Sequence, residues 1–140
     1  MNFSQGICNY TKEGRGEIHT KLKSDIITEI HKLTKSIYEH NTVELADNKL
    51  SKYSAQKGKC SITSKFLRAG DVEIHHIKPT RLGGTDEFKN LTAIHKSVHK
   101  LIHATTTETI ERYMNELQLN VKQLKKLNKY RKECNLINLV

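Results

Sequence analysis

The chain contains no tryptophan, one proline, and only three phenylalanines and five tyrosines in 140 residues. With so few aromatic rings, the interior has to be assembled from Ile, Leu and Val. Length suffices for that: a chain of this size buries about two-thirds of the surface its extended form exposes, as one domain. Also missing is any apolar run near the ~20 residues that a transmembrane helix requires. The first residues carry no apolar secretory segment either. The expected setting is therefore cytoplasmic, with no membrane partner. Cysteine is scarce and odd in number, with Cys8, Cys60 and Cys134 far apart. That pattern argues against a disulfide scaffold and for reduced thiols, each a small buried or idle residue. Internal repeats and low-complexity tracts are absent as well, which excludes a repeat architecture.

Acidic residues are the minority charge: 15 Asp and Glu against 24 Lys and Arg give a net charge of +9. The excess is unevenly placed. Residues 1–50 carry seven basic and seven acidic side chains, residues 51–104 carry ten and four, and residues 105–140 carry seven and four. A surplus that begins at residue 51 suits a phosphate-binding surface, and a solvated basic helix has the same composition. Lys122, Lys125, Lys126, Lys129, Arg131 and Lys132 are accordingly either a DNA-backbone contact face or a soluble one.

What the chain does have is histidine, concentrated in one stretch. Residues 73–103, EIHHIKPTRLGGTDEFKNLTAIHKSVHKLIH, hold five of the eight histidines, the sole proline (Pro79) and a Gly83-Gly84 pair. Imidazole is the commonest protein ligand for a transition metal and the side chain most easily poised as a base near neutral pH. Val72 to Ile77 is β-branched and apolar around two histidines, which predicts a short strand. Adjacent strand side chains point to opposite faces, so one of His75 and His76 can meet a metal while the other looks toward an attacking water. Pro79 ends the strand, and Arg81 to Asp86 is loop chemistry. Leu91 to Ile94 returns as a second strand. From Lys96 the pattern is helical, placing His99 and His103 on one face a turn apart. The product is strand, long loop, strand, helix, with three imidazoles able to converge.

HH-I-x-P, then GG, N-L and H-x-x-x-H, in this order within 31 residues, resembles the HNH nuclease motif. The resemblance implies an α+β, mostly helical fold with a ββα-metal (HNH, or His-Me finger) core and flanking N- and C-terminal helices. Residues 59–104 would form the core, 1–58 a helical support and 105–140 helices packing on it, all in one compact domain. It also implies a metal-dependent DNA endonuclease that hydrolyses phosphodiester bonds, nicking or cutting its substrate. His76 matches the general base that activates water, and Asn90 the residue that orients this base through a backbone contact. His75 and His99 match metal ligands, and His103 matches a further histidine that ligates metal or phosphate. One divalent ion is implied, Mg²⁺, Mn²⁺, Ni²⁺ or Zn²⁺; histidine-rich ligation suits the transition metals better than magnesium.

A looser likeness covers nearly all of the chain. Residues Gly6 to Arg15, Gln56 to Thr63, His99 to Ala104 and Gln123 to Lys129 resemble the C-terminal end of group II intron-encoded reverse transcriptase/maturase proteins. This implies intron RNA or a reverse transcriptase/maturase as partners in the parent context. Nothing resembles the reverse transcriptase, so the chain is either an excised domain or a free-standing relative.

One departure from the HNH pattern matters. Many HNH domains carry two CxxC pairs around a structural zinc, whereas this chain has Cys60 with Thr63, and His95 with Val98. Four-coordinate zinc needs a full donor set, so no structural zinc is expected. Packing of Ile62, Leu67, Ile94 and Val98 should fill its place. Two rival readings follow from the same residues: a catalytically inactive nucleic-acid-binding remnant of an intron-encoded protein, and a metal module of purely structural purpose. Neither has a use for His76 and Asn90.

Outside the motif the chain reads as helical support. Ile18, Leu22, Ile26, Ile30, Leu33 and Ile37 recur every three or four residues and predict a long amphipathic helix, with His19 and His31 on its polar face. Asn41 to Asp47 is expected as a connection, followed by a short helix to about Gln56 and a break at Gly58. Cys60–Ile62 and Phe66-Leu67 suggest a hairpin before the histidine strand. Thr107 starts a helix through Ile110, Tyr113, Met114 and Leu117, and Val121, Leu124 and Leu127 mark a last one, rich in lysine.

Overall fold

The computed structural model describes residues 12–139, with side chains from residue 24 onward. Cys8 and the quoted stretch before Lys12 lie outside the described residues, as do the side chains of Ile18, His19 and Leu22. Helix α1 runs Lys12–His40, α2 Val43–Ala55, strand β1 Val72–His76, β2 Leu91–His95, α3 Lys96–His103, α4 Thr107–Leu117 and α5 Val121–Glu133. The architecture is α+β and mostly helical, with one small antiparallel sheet among the described residues.

The sheet is the expected pair. β1 and β2 run antiparallel, with Val72 opposite His95, Ile74 opposite Ala93 and His76 opposite Leu91. Alternation along β1 sends His75 inward, 3% exposed, and leaves His76 half-buried. The outer edge of β2 is covered by a side chain. Gln56 at the end of α2 accepts from the Ala93 N–H at 2.9 Å through Oε1. Its Nε2 donates to the Ala93 carbonyl at 3.0 Å, so one amide imitates a third strand.

Helices α2 and α3 pack against the sheet, and α4 and α5 pack on α3. The core between them contains Leu33, Tyr53, Leu67, Val72, Ala93, Ile94, Val98, Leu101, Ile102 and Leu127. Ile62, Leu67, Ile94 and Val98, expected to fill the position of a zinc clamp, are all buried in this one core. The polar groups at those positions are used locally. Cys60 Sγ accepts from the Thr63 N–H at 3.4 Å, and His95 Nδ1 caps α3 by accepting from the Ser97 N–H at 3.0 Å.

Three expectations need correction. The connection after α1 is only Asn41-Thr42, because the Thr42 hydroxyl accepts from Leu45 N–H and starts α2 at Val43. The hairpin before β1 reduces to a single Lys59–Phe66 bridge, since Lys57, Gly58 and Ser64 adopt left-handed backbone that a continuous ladder cannot contain. Arg131 is no part of a basic surface: it is 1% exposed. Its guanidinium donates to the carbonyls of Leu101 (2.9 Å), Ile102 (3.2 Å), Ala104 (2.8 Å) and Ile137 (2.8 Å). Three of those carbonyls belong to the C-terminal end of α3, which carries the helix's partial negative charge and its unpaired acceptors. The other five cations of the pattern, Lys122, Lys125, Lys126, Lys129 and Lys132, are exposed, and His31 is exposed on α1 as expected.

Candidate metal centre and the loop beside it

Chain order alone sets up the site. β1 ends in His75 and His76, β2 leads directly into α3, and the i, i+4 spacing aims His99 and His103 at β1. The His75 ring lies 5.3 Å from His99 and 5.2 Å from His103, centroid to centroid, and His99 and His103 are 4.7 Å apart. Tyr130 of α5 closes the other side of His75 at 5.9 Å.

Electrostatics keep this cluster neutral. Burial, then the neighbouring His99, His103 and His76, push His75 down to about 3. Burial also lowers His99, joined by Lys100 and opposed by Glu73. His103 is lowered by burial, His99, Arg81 and Arg131. An imidazole kept neutral retains a lone pair, which is the form that binds a metal ion. Among the described residues, His75 Nε2 is the one buried side-chain nitrogen or oxygen without a hydrogen-bond partner. A buried polar atom is normally paired. An orphaned imidazole nitrogen facing two further imidazoles fits a divalent cation.

A thiol from the end of α5 joins two of these three imidazoles, and His99 lies outside that set. The ligand atoms of His75, His103 and Cys134 lie within 4.8 Å of one another. The sequence alone marks Cys134 as a small buried or idle residue, and it is buried; nothing in the sequence around it points to the histidines 31 residues upstream. Burial raises its thiol, with Arg81 and Arg131 pulling in the opposite sense.

His76 faces away from this cluster toward the β1–β2 loop. Its Nε2 is 2.9 Å from Asp86 Oδ1. A carboxylate only accepts, so Nε2 carries a proton, and it is Nδ1 that bears the lone pair whenever the ring is neutral. Asp86 is the residue that sequence reasoning missed. The signal was an acidic side chain in a loop ten positions after His76, a separation that says nothing until the loop is folded.

Asn90 builds that loop. Its side chain accepts from Lys78 N–H at 2.9 Å and donates to the carbonyls of Lys78 (3.0 Å) and Thr85 (2.7 Å). It therefore clamps the backbone two residues after His76 and one before Asp86, with no direct contact to the imidazole. Gly83 takes the left-handed conformation at φ 92°. A Cβ on Gly84 would sit 1.7 Å from the Lys78 carbonyl oxygen, so both glycines are needed for the loop to double back. Asn48 of α2 anchors the far side by donating to the Asp86 carbonyl at 3.0 Å.

Both sets open onto solvent. A cleft of about 270 Å³ is lined by Glu73, His75, His76, Thr80, His99 and His103. A second of about 560 Å³ shares His99 and His103 and continues past Lys100, Thr106 and Arg112. A neutral imidazole cluster, a separately held imidazole and a basic extension thus meet along one surface.

Comparison with known families agrees with this geometry. Residues 59–105 match the family described as HNH endonuclease. That stretch covers the Lys59 bridge, both strands and the whole of α3. No curated protein and no solved structure matches the chain.

Proposed function

We propose that the chain is a divalent-metal-dependent DNA endonuclease in which His76 is the general base and the cluster of His75, His99 and His103 holds the ion. The carrying observation is the division of labour across β1, with an unpartnered, neutral His75 on one face and a carboxylate-held His76 on the other. When bound, the ion would supply charge neutralisation at a phosphate as negative charge develops in the transition state.

The chain's own groups account for the rest. Asp86 fixes the His76 ring through Nε2 and leaves Nδ1 free to take a proton from a water aimed at phosphorus. Asn90, Gly83 and Gly84 keep the loop in the one shape that brings Asp86 to His76. Lys100 and Arg112 extend positive charge along the wider cleft, where a substrate strand would run past the histidines. Arg81, close enough to act on His103, offers a further cation to phosphate. Little in this arrangement reads base sequence, so targeting would come from attached partners. Intron RNA or a reverse transcriptase/maturase fits the looser likeness of the flanking stretches.

The test is nicking of supercoiled plasmid by the purified chain with Mg²⁺, Mn²⁺, Ni²⁺, Zn²⁺ or EDTA, beside His76→Ala. Cleavage should need metal, and loss of the base should slow it by about 10²–10⁴ with an unchanged circular-dichroism spectrum. A His76→Ala chain that cuts at the normal rate removes His76 from the role. DNA binding with no cutting under any metal would favour the inactive remnant.

A further inference from the structure

The imidazole cluster is not closed by imidazoles alone. Among the described residues, the ligand atoms of His75, His103 and Cys134 fall within 4.8 Å of one another. His99, which completes the ring of histidines, lies outside that set and lines both clefts. Cys134 comes from the end of α5, more than 30 residues beyond α3. It is held in place by the same region of chain that buries Arg131 against the last carbonyls of α3. Cys134 is 1% exposed and His75 is 3% exposed. His75 Nε2 has no hydrogen-bond partner at all. A buried thiol alone would be only a small apolar residue. A buried thiol beside a buried imidazole nitrogen that lacks a partner is a pair of donors with one need.

We propose that Cys134 is a metal ligand, joining the imidazoles of His75 and His103, so that the ion is of the zinc class rather than magnesium. This deepens the metal-dependent nuclease reading and rests on it. Binding forms a sulfur–metal bond and releases the thiol proton to solvent, because thiolate is the ligating form. Thiolate and imidazole donors select Zn²⁺ and Co²⁺, whereas Mg²⁺ is held by oxygen donors, of which this set has none.

Cobalt reports the donor directly, because a thiolate ligand gives a near-ultraviolet sulfur-to-cobalt charge-transfer band that imidazole ligands do not. The full chain is titrated with Co²⁺ under reducing conditions, beside Cys134→Ser and a double variant, Cys8→Ser with Cys60→Ser. The wild type and the double variant should show the band. Cys134→Ser should lose it, and its Co²⁺ affinity should fall by at least about tenfold. A folded Cys134→Ala chain, checked by circular dichroism, should behave the same way if serine lends an oxygen. Visible cobalt bands without the charge-transfer band in the wild type would overturn the thiolate ligand while leaving a metal-dependent nuclease intact. A band that survives in Cys134→Ser overturns it equally. No cobalt spectrum at all, together with metal-independent cleavage, would overturn both the ligand and the nuclease reading beneath it.

Discussion

Two histidines adjacent in sequence do different chemistry because a strand separates them and different partners receive them. His75 enters a region where charge is expensive and stays neutral. His76 meets Asp86 at 2.9 Å, with its ring still reachable from the cleft. The carboxylate fixes which ring nitrogen carries the proton and where the other one points. Asp86→Asn keeps the size of the side chain but can present its amide donors instead, permitting the opposite tautomer. The expected result is a fall in kcat of up to about 100-fold, the scale of a misaimed catalytic group, with KM nearly unchanged. Steady-state cleavage kinetics decide it. A rise in KM with normal kcat would mean that Asp86 serves substrate binding and not the ring. This pairing was not legible in the sequence. Periodicity places side chains on faces of one element, and the Asp86 contact depends on a loop folded back by Gly84 and Asn90.

At the scale of elements, two charged residues do work usually left to the apolar core. Arg131 spans from α5 to the end of α3 and supplies donors to the last carbonyls there, of which Leu101 also accepts from the Ala104 N–H. Its periodicity on a lysine-rich helix suggested an exposed face. That reading failed because the tail carrying Ile137 folds back and accepts from the same guanidinium. Arg131→Met retains much of the apolar stem but strands those acceptors, each at a cost of about 1–3 kcal/mol. Denaturant unfolding should show a loss of several kcal/mol on that basis. A change below about 1 kcal/mol would mean water replaces the guanidinium. Glu29 ties α1 to the segment before β1 in a similar way, accepting from the Ala69 N–H at 2.7 Å.

That backbone hydrogen bond, then Lys32 and Arg68, lower Glu29 below the usual carboxylate value of 4.5 despite its burial. With the folded value depressed, the unfolded chain takes up the proton more readily, so the contribution is whole above 4.5 and fades as pH falls through the folded value. Wild type should therefore lose more stability than Glu29→Ala on going from pH 6 to pH 3. Parallel unfolding slopes for the two chains would remove Glu29 from that role. The strands and α3 were legible because hydrophobic period and turn residues agree there. The start of α2 and the broken hairpin were not, since a single hydroxyl cap and left-handed backbone at Lys57 and Ser64 decided them.

Across the whole molecule, charge is arranged around the clefts in a way that composition only hinted at. The +9 excess includes Arg131, whose charge is spent inside the fold, so the surface available to a polyanion is smaller than the count suggests. Exposed cations around the histidines include Lys78 and Arg81 on the loop, with Lys100 on α3 and Arg112 on α4. If these four meet phosphates, the logarithm of duplex affinity should fall against the logarithm of salt with a slope of about −3.6. A fourfold rise in salt then weakens binding by about 150-fold. Fluorescence anisotropy with a labelled duplex, run in EDTA so that no cleavage intervenes, measures the slope. Replacing Lys100 and Arg112 together by Ala should flatten it by about 1.8, whereas replacing Lys125 and Lys129 on α5, which line neither cleft, should leave it alone. An effect that followed the α5 lysines instead would move the bound strand off the histidine clefts, and cleavage by His76 would then need a second contact to bring DNA to it.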